Sequence, residues 1–269
     1  MRCLTKDTVL NILIYQGSAI AANKAANLAQ VQRISHSASL LGADAVVFPE
    51  LFTTGYNLGA QLRSLAEPLQ GDSFHQLADM ARRYQLSIII GLPETDAGKL
   101  YNSAIVIDKQ GQLAGHHRKV FLFGNQEKQL FTAGTRFQTF ELCGHTCGLS
   151  ICYDIEFPES TRTLAQQGAK LLFNPTANMT PYYQVPNTLA RARALENGLT
   201  VVYANLCGQE GDLHYTGQSA LIAPDGTDIA RAGNDPCLLM ADVSAYLQQD
   251  SGRRWSTQLQ DLNEWQQHE

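Results

Sequence analysis

Short apolar runs rich in Val, Ile, Leu and Ala alternate with helical patterns along most of the sequence. Runs of this length, bounded by turn residues, predict buried β-strands, and helices between them predict covered sheets. No Pro/Ser-rich linker, charge block or obvious internal repeat interrupts the alternation. The pattern therefore predicts one α/β domain. The predicted strands are residues 10–15, 45–48, 86–90, 104–107, 147–151, 170–173 and 200–204.

Four helical patterns lie between or after these strands. In the first, apolar residues recur at helical spacing up to Leu41, and Gly42 follows as a C-terminal stop. The second covers residues 73–84. The third begins at Pro158, because proline suits the first helical position, where no amide hydrogen is needed. The fourth ends at Gly198.

Towards the end of the chain the pattern predicts a hairpin. Residues 216–223 and 237–243 are largely apolar runs, and Pro224-Asp225-Gly226 between them is a typical turn sequence. A hairpin there adds antiparallel strands to the parallel ones. We therefore expect mixed sheets.

We expect a single domain over residues 1–269, with its core at approximately 9–245. The remaining segment, 246–269, is polar and Gln-rich but carries Leu259, Leu262 and two tryptophans, at positions 255 and 265. Large apolar residues within a polar segment indicate packing against another surface. We expect this tail to pack at a subunit interface.

The composition excludes several classes of protein. Apolar residues make up 44% of the chain and charged residues 17%, which excludes a disordered chain and a coiled coil. The formal net charge is −5, so electrostatics favour neither nucleic acid nor an anionic membrane surface as a partner. Every apolar run is far shorter than the ~18 residues of a membrane-spanning helix. A small molecule is the expected partner.

The N-terminus admits two interpretations. Arg2 and Lys6 before the apolar residues 9–15 resemble a secretion signal, whereas Asp7 and Asn11 favour a first β-strand. We predict the strand and a cytoplasmic location. The six cysteines are too few and too scattered for the disulfide framework of a small secreted protein, so we expect free thiols.

A carboxylate follows the second predicted strand, at a point where α/β folds display functional groups. Glu50 comes directly after Phe48-Pro49, and the proline fixes the direction in which the chain leaves the strand. The next residues, 51–56, form an apolar loop, where partial desolvation raises the proton affinity of a carboxylate. Glu50 is a candidate base; the alternative is a solvated loop glutamate.

Two further reactive groups stand beside apolar runs. Lys119 ends the basic group 116–119 and precedes the apolar residues 120–123, although lysine at such a position is commonly a surface charge. Cys152 follows a buried run and precedes the helix start at Pro158 by six residues. That places it on a strand-to-helix turn of the kind that presents nucleophiles. A buried, inert cysteine is the alternative.

Together these residue types can carry out acyl transfer without histidine. A thiol is only slightly ionised at neutral pH and needs a base such as Glu50 to become a strong nucleophile. An ammonium such as Lys119 stabilises both the thiolate and the oxyanion of a tetrahedral intermediate. The backbone N–H after Cys152 is a second oxyanion donor.

These motifs occur in a recognisable order. They are Phe48-Pro49-Glu50, Arg118-Lys119, Cys152-Tyr153-Asp154, Phe157-Pro158-Glu159 with Arg162, Arg193-Ala194-Leu195-Glu196-Asn197, Ala204-Asn205, Gly217-Gln218-Ser219 and Pro224-Asp225-Gly226. Over nearly the whole chain this order resembles the nitrilase superfamily of carbon–nitrogen hydrolases. The resemblance implies an α/β fold, a four-layer αββα sandwich with two mixed β-sheets. It also implies a homodimer or higher homo-oligomer, and neither a metal nor an organic cofactor.

The resemblance also assigns roles to individual positions. It implies that Cys152 is the nucleophile, Glu50 the general base and Lys119 the group that stabilises the tetrahedral intermediate. Glu127 matches the second glutamate of the family, which is thought to position the substrate and to keep the lysine oriented. The backbone amide of Tyr153 completes the oxyanion hole in this interpretation.

Four residues in predicted loops near this site are candidates for substrate binding. They are Tyr56, Tyr153, Asn174 and Asn178.

Other arrangements are weighed against this site. Residues 143–147 contain two cysteines and a histidine, but strand alternation places Cys147 and Cys152 on opposite faces, which disfavours zinc. A papain-like pair of cysteine and histidine is possible in principle, yet none of the histidines lies in a recognisable motif. We interpret Arg193 and Glu196 as an ion pair on one helix face rather than as substrate contacts.

The reaction is predicted less sharply than the family. The short chain and the tyrosine after Cys152 resemble the short-chain amidase branch, so we expect cleavage of small carboxamides to a carboxylic acid and ammonia. Hydrolysis of N-carbamoyl amines or amino acids is the nearest alternative, and nitrile hydrolysis is another. A catalytically silent binding protein of the same fold is an alternative of a different class, although all four polar positions are retained.

Overall fold

The computed structural model describes residues 9–247 and 256–266. Its strands form two six-stranded mixed sheets and a short two-stranded ribbon. The strands are β1 Asn11–Gln16, β2 Ala45–Val47, β3 Ser87–Asp96, β4 Lys99–Ile107, β5 Leu113–Arg118, β6 Thr139–Leu142, β7 His145–Leu149, β8 Leu171–Thr176, β9 Thr200–Asn205, β10 Cys207–Glu210, β11 Leu213–Thr216, β12 Ala220–Ile222, β13 Asp228–Arg231 and β14 Cys237–Asp242.

The two large sheets share one design. The first has the order β14-β1-β2-β3-β4-β5 and the second the order β13-β12-β9-β8-β7-β6. In each, three neighbouring strands are parallel, β1 to β3 in the first and β7 to β9 in the second, and the flanking strands are antiparallel. Each sheet therefore combines a buried parallel centre with antiparallel edges.

Helices cover the outer face of each sheet. Apolar residues of α1 and α3 pack on the first sheet, and those of α5 and α6 pack on the second. The inner faces of the two sheets pack on each other. The helices are α1 Lys24–Leu40, α2 Leu62–Leu65, α3 Asp72–Tyr84, α4 Gly124–Leu130, α5 Pro158–Gln166, α6 Ala190–Asn197, α7 Ser244–Leu247 and α8 Gln258–Gln266.

The predicted four-layer αββα sandwich with two mixed sheets is thereby confirmed. The position of each sheet between two packed layers explains why the strands are continuous apolar runs in the sequence. In β1, Leu13 faces the helices, whereas Ile12 and Ile14 face the second sheet. Both faces are dry, so neither face needs polar residues. The predicted helices also end where expected, because Gly42 and Gly198 take the left-handed conformation, with φ of 79° and 60°.

The turn of the predicted hairpin is confirmed, but one of its two strands is wrong. The Pro224-Asp225-Gly226 turn does join antiparallel strands, but the partner of β12 is β13 rather than residues 237–243. The latter segment contains β14, which crosses to the first sheet and pairs with β1. The residues nearest a tight turn pair first, and β14 then satisfies the backbone groups along the otherwise open side of β1.

The described part of the C-terminal tail packs on its own chain. Helix α8 lies against α5 and α6, and Leu259 packs on their apolar core. The Gln166 side chain donates to Asn263 Oδ1 and Gln266 Oε1, both at 3.2 Å. Trp255 lies outside the described residues, while Trp265 is exposed. Packing at a subunit interface stays a prediction.

No helix within residues 9–247 and 256–266 combines the length and hydropathy needed to cross a membrane.

Candidate active site

Four of the residues singled out in the sequence come from four different segments. Glu50 follows β2, Lys119 follows β5, Glu127 lies on α4, and Cys152 begins a 3₁₀ turn, Cys152–Glu156, after β7. The first sheet thus supplies a carboxylate and an amine, and the second supplies the thiol.

The turn after Glu50 depends on a close approach of two backbones. Leu51 has a φ of 49°, a left-handed conformation that is unusual for a residue with a side chain. Gly91 of β3 lies directly beneath, and a Cβ there would come within 2.6 Å of the Glu50 Cα and 2.4 Å of the Leu51 N. Glycine at position 91 therefore allows the strand to support this turn.

Lys119 joins the two glutamates. Its Nζ lies 2.8 Å from Glu50 Oε1 and 2.8 Å from Glu127 Oε1. The residue is 1% exposed, and both carboxylates are buried with it. Burial by itself lowers the pKa of Lys119, but the negative charges of Glu127 and Glu50 raise it above the usual range. The side chain is therefore an ammonium.

The carboxylate of Glu127 is held by three donors. Its Oε1 accepts from Lys119 and from the Tyr56 hydroxyl at 2.7 Å, and its Oε2 accepts from the Phe123 backbone N–H at 2.8 Å. Both oxygens are thereby occupied. A carboxylate with both oxygens occupied is better suited to holding Lys119 in place than to accepting a proton.

The carboxylate of Glu50 is arranged differently. Its Oε1 accepts from Lys119 and from the Asn102 side chain at 2.7 Å, whereas its buried Oε2 has no hydrogen-bond partner within the described residues. Burial raises the pKa of Glu50 above 4.5, although the Lys119 ammonium opposes this rise. A carboxylate with one free oxygen and an increased proton affinity is suited to act as a base.

Cys152 adopts a strained conformation at the turn. Its φ is 47°, in the left-handed region that a residue with a Cβ rarely takes. The residue keeps partial exposure and lines a small cavity together with Tyr153, Asn178 and Tyr182. Burial, followed by the charge of Glu50, raises the pKa of the Cys152 thiol, so the resting side chain carries its proton.

Asp154 fastens the segment of Cys152 to the segment of Lys119. Its buried carboxylate accepts from the backbone N–H of Ile151 at 3.0 Å and from those of Val120 and Phe121 at 3.1 and 2.8 Å. His117 Nε2 lies 2.8 Å from the same carboxylate. The residues directly beside the nucleophile candidate and the ammonium are thus tied to one carboxylate.

The candidate substrate-binding residues have different environments. Tyr56 contacts Glu127, while Tyr153 and Asn178 line the cavity of Cys152. Asn174 lies within β8 instead of in a loop, because the strand continues past Phe173 and pairs with β9. Its buried side chain donates to Ser150 Oγ at 2.9 Å.

Arg193 and Glu196, and the cysteines and histidine considered as zinc ligands, lie outside this cluster or have structural partners. Arg193 pairs with Glu196 at 3.0 Å, as predicted, and it also donates to the backbone oxygens of Ile155 and Glu156. In the part of the chain that the structure describes, no three His, Cys, Asp or Glu side chains are grouped so that they could hold a metal ion.

Two residues of the site, Asn102 and Asp154, were assigned no role from the sequence. Asn102 lies just before the predicted strand 104–107, inside the longer β4 of the structure, and its contact with Glu50 depends on which strands are adjacent. Asp154 stands in the quoted motif Cys152-Tyr153-Asp154, and that position was a usable signal.

The fold and this buried site define a hydrolase of the αββα sandwich class. Residues 12–251 match the family model described as carbon-nitrogen hydrolase, and the chain belongs to this family. It is therefore an enzyme that acts on carbon–nitrogen bonds, in the nitrilase superfamily.

Individual relatives agree with an amidase-like member. The chain is 41% identical over 245 residues to a Pseudomonas protegens protein named "Hydrolase in pqqF 5'region", covering 90% of this chain and 85% of the relative. It is 39% identical over 193 residues to an (R)-stereoselective amidase of Pseudomonas sp, covering 71% and 70%. The crystal structure of an amidase from Nesterenkonia sp. superposes with a TM-score of 0.84 at 31% identity, covering 98% of this chain and 100% of that one.

Proposed function

We propose that this enzyme hydrolyses small carboxamides to carboxylic acids and ammonia through a thioester on Cys152. The observation that carries the proposal is the Lys119 ammonium, held 2.8 Å from both Glu50 and Glu127 beside the turn that bears the thiol. The amidase names of the relatives support the same substrate class.

Acylation begins with a protonated thiol. Because the pKa values of both Cys152 and Glu50 are raised, the sulfur gives up its proton to Glu50 as it attacks the carbonyl carbon of the amide. The carbonyl oxygen becomes an oxyanion, which the Lys119 ammonium and the backbone N–H of Tyr153 stabilise. Glu50 then returns the proton to the nitrogen, and ammonia leaves as the thioester forms.

Deacylation uses the same base. Glu50, again ionised, takes a proton from water, and the resulting hydroxide attacks the thioester carbonyl. Collapse of this second intermediate breaks the carbon–sulfur bond, releases the carboxylic acid and returns a proton to the sulfur. Glu127 takes no proton in this cycle, because its oxygens are occupied by Lys119, Tyr56 and Phe123.

The test is ammonia release from a panel of simple carboxamides, nitriles and N-carbamoyl amines, run beside Cys152→Ala. We expect release from carboxamides by the wild-type protein and none by the variant. Release of carbon dioxide together with ammonia from N-carbamoyl amines alone would replace the amidase proposal with the carbamoyl reaction. Release from nitriles alone would replace it with nitrile hydrolysis, and no release from any compound would contradict it.

A further inference from the structure

The cavity that holds the Cys152 thiol is small. Its volume is about 10 Å³, and Phe123, Met179 and Tyr182 form part of its wall. A space of this size holds about one water molecule. An acyl chain of several carbons therefore has to extend beyond it.

A much larger cavity adjoins it. This outer cavity measures about 530 Å³ and shares Phe123 and Met179 with the thiol cavity. Its wall also contains Glu127 and Tyr56, the two residues that join the Lys119 cluster. Cavities of roughly 300–1,000 Å³ are the usual size of small-molecule sites. The outer cavity therefore lies where the far end of a substrate attached to Cys152 would project.

Most of the exposed wall of the outer cavity is apolar, although the amides of Asn57, Asn125, Gln126 and Gln129 also line it. The apolar residues that line the outer cavity, besides the two shared with the thiol cavity, include Ala60, Leu130, Phe131 and Leu213. Its only carboxylate within the described residues is that of Glu127, whose oxygens already accept hydrogen bonds. The single arginine of this described lining, Arg63, is exposed and donates to the Leu130 backbone oxygen at 3.2 Å.

We propose that the outer cavity is the acyl-binding site and that the preferred substrates are carboxamides with an extended apolar acyl group, such as hexanamide or 4-phenylbutyramide. The inference rests on the proposed function, because it places the amide carbonyl at Cys152. Phe123 and Met179, which line both cavities, then contact the first carbons of the chain. Burial of the remaining carbons against Leu130, Phe131 and Leu213 strengthens binding.

The experiment compares kcat/KM for acetamide, butyramide, hexanamide and 4-phenylbutyramide. Burying one methylene group corresponds to about a fourfold gain, so we expect kcat/KM to rise along the series. Ala60→Trp fills the outer cavity from an exposed 3₁₀ segment and should abolish the rise, read as the ratio of kcat/KM for hexanamide to that for acetamide within each variant. The matched control is Ala29→Trp, an exposed alanine on α1 outside the cavity, which should leave the whole series unchanged.

Equal kcat/KM for acetamide and hexanamide in the wild-type protein would overturn the inference, and so would an identical series in Ala60→Trp and Ala29→Trp. A better rate with adipamic acid, the monoamide of adipic acid, than with hexanamide would overturn the apolar assignment and give Arg63 a carboxylate to bind. If no amide is hydrolysed, the proposed function fails on its own. Calorimetric binding of hexanamide to Cys152→Ala, with and without Ala60→Trp, then still decides whether the cavity binds acyl groups.

Discussion

Glu50, just after β2, and Glu94, on the neighbouring β3, are two buried glutamates with different surroundings and different roles. Glu50 and Glu94 are both almost fully buried, and each pairs with a cation from the end of β5. Glu94 accepts from Ser103 at 2.6 Å, from Arg118 through both oxygens, and lies 2.7 Å from His116 Nε2. Glu50 instead keeps one oxygen without a partner among the described residues.

Strand alternation separates the two clusters. Asn102 and Lys119 lie opposite each other on β4 and just after β5, and both contact Glu50. The preceding cross-strand pair, Ser103 and Arg118, contacts Glu94 on the other face. One residue along each strand therefore changes which cluster a side chain joins.

The two clusters differ in how completely the carboxylate oxygens are hydrogen-bonded. Hydrogen bonds from His116, Arg118 and Ser103 outweigh burial and lower the pKa of Glu94 to about 2, so this carboxylate is fixed in its ionised form. Burial outweighs Lys119 at Glu50 and raises its pKa. A fully satisfied carboxylate stabilises the fold, and an incompletely satisfied one is available for proton transfer.

The largest effect is expected from removing the base. Glu50→Gln should lower kcat about 10² to 10⁴-fold, the usual contribution of a general base, while the protein stays folded. Ammonia release and a thermal unfolding curve measure both properties. The matched control is Glu94→Gln, which should keep most of the activity and lose stability. Comparable rate losses in the two variants would remove the distinction between the clusters.

The next largest effect is expected from replacing Lys119, and the same change at Arg118 should give a different result. Lys119→Met leaves two buried carboxylates without their ammonium, so kcat should fall about 10² to 10³-fold, and the free energy of unfolding should decrease by roughly 3–5 kcal/mol. Arg118→Met should affect mainly stability. Steady-state kinetics and denaturant unfolding on both variants test this. Retained turnover in Lys119→Met would exclude its role in stabilising the oxyanion.

The two glutamates also predict losses at different pH as the solution is acidified. Glu50 must be ionised to accept a proton, so activity should fall as pH decreases through its raised pKa, with a midpoint above 4.5. Glu94 has its pKa lowered from 4.5 to about 2, so its stabilisation is complete above pH 4.5 and is lost between there and about pH 2.

The size of the Glu94 contribution follows from that change in pKa and is about 3 kcal/mol. The difference in unfolding free energy between wild type and Glu94→Gln should be constant near pH 6 and should shrink steadily as the pH is lowered from 4.5 to 3, because it vanishes only near the folded pKa of about 2. A constant difference over this range would contradict the assignment, as would an acid limb of kcat/KM centred below pH 4.5.

The smallest effect concerns the support of Lys119. Tyr56→Phe removes one of the two side-chain donors to the Glu127 carboxylate, which keeps its bonds to Lys119 and Phe123, so kcat should fall about two- to tenfold. The matched control is Tyr84→Phe, a partly exposed tyrosine at the end of α3. If both variants keep the wild-type rate, the Tyr56 contact contributes nothing to catalysis.

Local pattern predicted most of the fold and the central residues of the site. Glu50 and Cys152 each come close behind an apolar strand, and Lys119 ends a basic group directly before an apolar run, so all three positions are visible in the sequence. Asn102 was missed because it lies inside a strand, where its neighbour is set by the order of strands in the sheet. The predicted partner of β12 was wrong for a related reason. Both β13 and β14 follow the turn after β12, and only the assembly of the sheets determines which of them pairs with it.

The pairing of Glu50 with the Cys152 thiol is tested most directly by the rate of iodoacetamide labelling, mapped by mass spectrometry over the six cysteines. Buried Cys147, on β7, is the internal reference. Because Glu50 takes the proton from the thiol as the sulfur attacks, we predict that Cys152 is labelled faster than Cys147 in the wild-type protein and markedly more slowly in Glu50→Gln. Cys152 as the slowest thiol, or a rate unaffected by Glu50→Gln, would contradict the account.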